Sequence, residues 1–204
     1  MRVDPASLLV PGEWEHQFVP ANGTRLHVAE AGAGADPLVV LLHGFPQTWY
    51  AWRAQIPALA AAGYRVAAMD LRGFGSSDKP ASGHDALSLA ADVSAAIRSL
   101  GAEQAVVVGH GYGAQIAWSM PGLAPHVTRA IATLSSPHPI PLRRPLPWRT
   151  MAQHAFAQIP WIPERKLERD WVSQVLREWS APGWECDAVE LYTNAMRQPA
   201  TAHH

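Results

Sequence analysis

Residues 105–113 read Ala-Val-Val-Val-Gly-His-Gly-Tyr-Gly, and the helix-compatible run Ala114-Gln115-Ile116-Ala117-Trp118 follows at once. An apolar run without alternation predicts a strand buried on both faces. The alternating glycines predict a tight turn, and the next residues predict a helix starting directly from it. The same plan occurs twice upstream. Leu38–Leu42 is a continuous apolar run closed by His43-Gly44-Phe45-Pro46, and Tyr64–Met69 is another, closed by Asp70 and the glycine-rich turn Arg72-Gly73-Phe74-Gly75-Ser76-Ser77-Asp78-Lys79-Pro80. Strands alternating with helices imply right-handed crossovers and a parallel sheet.

Around these units the remaining elements fall into place. Glu15–Glu30 carries Asn22-Gly23 between two β-compatible segments, the signature of a hairpin. Trp52–Ala62 predicts a helix ended by Gly63. Asp85 or Ser88 can cap a helix on which Leu89, Val93, Ile97 and Leu100 recur at helical spacing, with Gly101 at its end. A sixth strand starts at Arg129. Beyond Ser136 the composition turns to proline, arginine and tryptophan, so residues 1–136 are expected to form the core and 137–204 a partial helical lid. In that lid Leu167, Trp171, Val175 and Trp179 lie four apart and are expected to form one apolar stripe.

Composition narrows the function classes. The chain has 204 residues, a formal net charge of −1 and one cysteine, Cys186. Near-neutral charge without like-charge blocks argues against nucleic acid or an anionic membrane as partner. One thiol excludes an internal disulfide framework and fits a reducing compartment. No run of 18 apolar residues and no signal-peptide pattern is present, which leads to the expectation of a soluble, cytoplasmic protein. No metal site and no cofactor is expected.

Three motifs in register, HGFP (43–46), DLRGFGSSDKP (70–80) and GHGYG (109–113), with the run HGFPQTWYAWRAQIPALAAAGYRVAAMDLRGFGSSDKP (43–80) and a continuation through SSPHP (135–139), resemble the α/β-hydrolases of the epoxide hydrolase and haloalkane dehalogenase type. The resemblance spans roughly residues 15–200. It implies a three-layer α/β-hydrolase sandwich with a mostly parallel sheet and a helical lid, and hydrolysis of a small, largely apolar molecule, an epoxide first among them. It also implies a chain that is C-terminally truncated, lacking the last strands, so that the sixth strand is an uncovered edge able to self-associate.

The family's elbow pattern is small-x-nucleophile-x-small, with Asp at its centre in epoxide hydrolases and dehalogenases and Ser in esterases. Here the centre is Gly111, which has no side chain to form an ester. The backbone N–H groups of Phe45 and Tyr112 take the places that resemble an oxyanion hole. His43 is expected to be a packed turn residue, and Asp70 to accept hydrogen bonds from the loop after its strand. Gly44, Pro46, Trp49, His110 and the lid residues Phe156, Trp161 and Tyr192 are expected around the pocket, Tyr192 as a packing group. The loop SSPHP offers no acid, and no histidine matches the family's late catalytic one, so whether the chain is an enzyme stays open.

Two other readings are weighed. A non-enzymatic protein could use the same pocket to hold an apolar ligand. A dinucleotide-binding protein is suggested by the GxGxxA spacing of residues 109–114. However, that motif follows the fifth strand and not the first, and no acidic residue stands about twenty positions later to hold a ribose.

Overall fold

Asn22 and Gly23 both take positive φ, 46° and 74°. This two-residue turn matches the twist of the strands it joins, β1 (Glu15–Ala21) and β2 (Thr24–Ala31). The computed structural model describes residues 4–138, 171–183 and 186–198. The apolar runs form β3 (Leu38–Leu42), β4 (Arg65–Met69) and β5 (Ala105–His110), and β6 (Thr128–Leu134) follows. The strand order is β1-β2-β4-β3-β5-β6. β4, β3, β5 and β6 are parallel, while β2 meets β1 and β4 antiparallel. The α/β-hydrolase sheet expected from the sequence is therefore present, and β6 is an edge strand among the described residues.

Period-two alternation along the central strands divides the interior into two cores. Val39 and Leu41 of β3, with Val66 and Ala68 of β4, pack with Trp49, Trp52 and Ile56 on one face. Leu38, Val40 and Leu42, with Ala67 and Met69, face α2 (Ala86–Ser99) and α3 (Tyr112–Leu123) on the other. Helices cover both faces of the sheet, giving three layers. Asp85 caps α2 by accepting the Ser88 N–H at 3.0 Å, and Leu89, Val93, Ile97 and Leu100 are all buried as their spacing predicts.

Two helix expectations need correction. Trp52–Ala62 is not one helix: Trp49–Trp52 is a 3-10 turn and α1 runs only from Gln55 to Ala61. Pro57 is the reason. It lacks an N–H and is tolerated only in a helix's first turn, so the helix starts just upstream of it. In α4 (Trp171–Glu178) the buried residues are Val172, Val175 and Leu176, whereas Trp179 is 53% exposed. A row of residues four apart drifts about 40° per step around a helix of 3.6 residues per turn, so it leaves the core, while the i, i+3, i+4 set stays in it. Leu167 lies outside the described residues. The last described helix is α5 (Val189–Met196), with Tyr192, Ala195 and Met196 buried.

One buried ion pair ties the hairpin to the second layer. The Arg72 guanidinium donates Nη2 to Asp92 Oδ1 at 2.5 Å and Nε to Oδ2 at 2.6 Å, and Asn22 Nδ2 donates to the same Oδ1 at 3.0 Å. Both charged residues are buried. Removing one partner leaves the other charge uncompensated, so Arg72→Met is expected to destabilise the fold by about 3–5 kcal/mol, read from the urea midpoint.

Candidate functional site

The carboxyl ends of β3, β4 and β5 lie side by side, the place where open α/β sheets bind ligands. The loop after β3 and the turn after β5 abut there. Three glycines of the 109–113 turn serve different ends. A Cβ on Gly109 would stand 2.3 Å from the Gly113 carbonyl, and one on Gly113 would stand 2.4 Å from the Leu42 carbonyl, so neither position admits a side chain. Their absence lets α3 leave β5 directly across the end of β3. Gly111 differs. Its φ and ψ are 54° and −111°, a conformation strained for any other residue, yet a Cβ there would meet nothing closer than Gly44 Cα at 3.6 Å. The turn is held by Gly111 N–H donating to Leu134 O at 3.0 Å and Gly113 N–H donating to His43 O at 3.1 Å.

Tyr112 is the first residue of α3, so its N–H has no acceptor within the helix. No acceptor stands opposite it, or opposite the Phe45 N–H, among the described residues. The Phe45–Pro46 peptide is cis and Pro46 is buried. Gly44 lies against the elbow: a Cβ on it would be 2.9 Å from His110 Nδ1. The aromatic side chains form a rim. Phe45 stands 6.4 Å from Phe74 and 5.9 Å from Trp171, and Phe74 stands 6.2 Å from Tyr112 between ring centroids. Burial pushes the Tyr112 phenol up and the His110 imidazole down from their ordinary values.

His43 is fully buried. Leu71 N–H donates to its Nε2 at 3.1 Å, so the ring proton sits on Nδ1, which donates to Gly44 O at 3.0 Å. Burial holds the imidazole below its ordinary value against the opposing pull of Asp70 and the Gly44 carbonyl. A neutral ring bonded at both nitrogens joins the loops after β3 and β4 and has no lone pair left for proton transfer.

Asp70 does more than cap its own loop. Its Oδ2 accepts the Ser76 N–H at 2.9 Å, and its Oδ1 accepts the Trp49 N–H, also at 2.9 Å, from the far end of the HGFP loop. His27 Nδ1 lies 2.9 Å from Oδ2. Burial opposes ionisation, but His27, His43 and the Trp49 N–H outweigh it and hold the carboxyl below the usual range.

Trp49 is placed differently from its expected position at the pocket. Its ring is fully buried in the core of the α1 face, 5.3 Å from Trp14 and 5.0 Å from His16, and Nε1 donates to Leu8 O at 3.2 Å. An indole needs a partner for its N–H, and Leu8 supplies it on this side. Tyr192 is buried on α5, and desolvation pushes its phenol up. Phe156 and Trp161 lie outside the described residues. Among the described residues, no group of three or more His, Cys, Asp or Glu side chains could hold a metal ion, and no helix is long and apolar enough to cross a membrane.

A parallel sheet whose fifth strand ends in a positive-φ turn before a helix, beside an HGFP loop, is the architecture of the α/β-hydrolases. The family model described as alpha/beta hydrolase fold matches residues 37–182. The chain is 37% identical over 195 residues to the AB hydrolase superfamily protein YfhM of Bacillus subtilis, covering 90% of this chain and 68% of the relative. It is 48% identical over 127 residues to epoxide hydrolase B of Mycobacterium tuberculosis, covering 60% of this chain and 35% of that relative. The chain thus spans between about a third and two thirds of these curated relatives. Among solved structures, epoxide hydrolase A of Mycobacterium thermoresistibile superposes with a TM-score of 0.74 at 31% identity, over 90% of this chain and 70% of that one. The epoxide hydrolase CorEH superposes with a TM-score of 0.79 at 28% identity, over 94% and 71%. The chain belongs to the α/β-hydrolase fold family, on its epoxide hydrolase-like branch.

The buried, neutral His43 has a consequence in acid. The unfolded chain takes up a proton as pH falls through about 6.5, while the folded protein resists doing so, so stability is present above that pH and is lost below it. Urea midpoints measured between pH about 5 and about 7.5 should rise with pH, with a smaller slope in His43→Gln.

Proposed function

We propose that this chain offers an epoxide hydrolase-like pocket to a small, largely apolar molecule, an epoxide being the leading class, and that it performs no covalent step at the elbow. The observation that carries this reading is Gly111: the backbone holds the conformation of a strained elbow, a Cβ there would meet only Gly44 Cα, at an ordinary 3.6 Å, and no side chain stands there. On this reading the N–H groups of Phe45 and Tyr112, which meet no acceptor among the described residues, act as an oxyanion hole and hold the ligand's oxygen. The rim of Phe45, Phe74, Tyr112 and Trp171 holds its apolar body. The helices α4 and α5 belong to a lid over that pocket. Support for the class of molecule comes from relatives named as epoxide hydrolases.

Gly111→Asp tests the reading. A Cβ is accommodated there without a clash, while the positive φ is expected to cost about 1–3 kcal/mol of stability. When an aryl epoxide is added, a carboxylate oxygen of the variant should bond to a ring carbon as the epoxide C–O bond breaks, and the alkoxide takes a proton from water. Intact-mass measurement should then show a hydroxyalkyl ester one epoxide heavier on the variant and none on the unmodified chain. Turnover of the epoxide by the unmodified chain on the order of 1–1000 per second would refute the proposal.

A further inference from the structure

Away from the elbow, three titratable side chains form one unbroken line. His16 Nε2 lies 2.9 Å from Val10 O, His16 Nδ1 lies 2.9 Å from His27 Nε2, and His27 Nδ1 lies 2.9 Å from Asp70 Oδ2. His27 and Asp70 are fully buried. The His16 and His27 rings stack with centroids 5.1 Å apart, and Trp49 packs edge-on against both.

Each of the three gaps is hydrogen-bond length, so each must hold a hydrogen. A carbonyl cannot donate, so His16 Nε2 carries one. The gap between the two imidazoles holds a second, and the gap to Asp70 holds a third. Two neutral imidazoles beside a carboxylate bring only two hydrogens. The line therefore needs one proton more than its neutral parts supply.

We infer that Asp70, His27 and His16 form a positioning chain that carries one excess proton on His27 and fixes the Trp49 end of the HGFP loop through the Trp49 N–H on Asp70 Oδ1. His27 then donates from both nitrogens, Nδ1 to the carboxylate and Nε2 to His16. Two other placements of the proton are disfavoured. Burial, with His27 beside it, holds His16 below its ordinary value, whereas His27, His43 and the Trp49 N–H outweigh burial and hold the Asp70 carboxyl below its own. Among the described residues, His43 acts on Asp70, and Asp70 in turn acts on Lys79. His43 is neutral, and Lys79 donates to Gly75 O and Ser77 O at 2.7 and 2.9 Å, so neither supplies the missing hydrogen. A buried His27–Asp70 ion pair bridged to His16 orders the loop more strongly than neutral bonds would. The proton count stands without the proposed function. The consequence for ligand binding rests on that reading.

The test compares His16→Phe with His16→Gln in the full chain. Phenylalanine keeps a ring stacked on His27 and Trp49 but accepts no hydrogen bond. Glutamine gives up the stack but offers a carbonyl oxygen to His27 Nε2–H. In ¹⁵N-histidine-labelled protein, the folded wild type and His16→Gln should show both His27 nitrogens protonated, and His16→Phe only one. Hydrogen exchange at the Trp49 amide should be about tenfold faster or more in His16→Phe, and within about twofold of wild type in His16→Gln. A singly protonated His27 or a protonated Asp70 in the wild type would overturn the inference, and that spectrum needs no variant to fold. So would a Trp49 amide better protected in His16→Phe than in His16→Gln, the order that ring packing alone predicts. Titration with the aryl epoxide separates the two proposals. Equal affinity of wild type and His16→Phe overturns the positioning role, whereas absence of binding by the wild type refutes the proposed function and leaves the proton count to the spectra.

Discussion

A carboxylate withdrawn from water must find its hydrogen bonds inside the protein, and Asp70 finds them in three separate segments: β2, the loop after β3 and the turn after β4. Desolvating an ion costs several kcal/mol, so the native arrangement of all three segments is the one in which that cost is met. The demand spreads outward. Gly75 must be glycine, because a Cβ there would lie 2.2 Å from the Asp70 carboxylate, and its φ of 50° brings the turn against the oxygens. The Ser77 hydroxyl donates to the Asp70 carbonyl at 2.6 Å while accepting the His27 N–H at 2.9 Å. With Asp70 fixing one end of the HGFP loop and His43 fixing the other, the loop that presents Phe45 has little freedom left.

The elbow obeys a different constraint, that of close approach. β5 and α3 can meet above the end of β3 only because Gly109 and Gly113 keep carbon away from carbonyl groups already in contact. These glycines belong to the fold. Gly111 differs, since a Cβ there would make only an ordinary contact with Gly44 and its backbone already takes the strained conformation. Architecture and chemistry therefore reside in different atoms of one five-residue turn. The backbone needs the flanking glycines to build the turn, whereas nucleophilic chemistry would need something at the centre. Glycine at the centre relieves the strain of that conformation, so the turn does not depend on a side chain at position 111.

Much of this was legible in the amino-acid sequence. Apolar runs marked the three central strands, Asn22-Gly23 marked the hairpin, and the Asp85 cap with its four buried residues marked α2. What escaped was set by single atoms or by distant partners. Pro57 delays α1, a local signal that the i, i+3 pattern masks. Trp49 stands at the end of the loop, but its indole lies in the core of the α1 face, where Nε1 donates to Leu8 O. The His16–His27 contact was within reach. A two-residue turn pairs Ala21 with Thr24, so Phe18 faces His27 and His16 stands diagonally from it on the same side. Its extension to Asp70, 43 residues further on, needs the β2–β4 pairing, which no local pattern announces.

On the proposed reading, glycine at position 111 also changes what the remaining groups at the elbow demand. An N–H at the start of a helix carries part of the helix's positive end, and Tyr112 occupies that place on α3. With an aspartate beside it the local field would be partly balanced. Glycine supplies no such charge. Partnerless N–H groups in apolar surroundings cost about 1–3 kcal/mol each unless an acceptor reaches them. On the proposed reading, a purely hydrocarbon ligand would displace water and leave those donors unsatisfied. A ligand with one exposed oxygen on an apolar body would satisfy the donors and fill the rim together. On that reading the polarity of the site favours a small oxygen-bearing molecule, with or without chemistry at position 111.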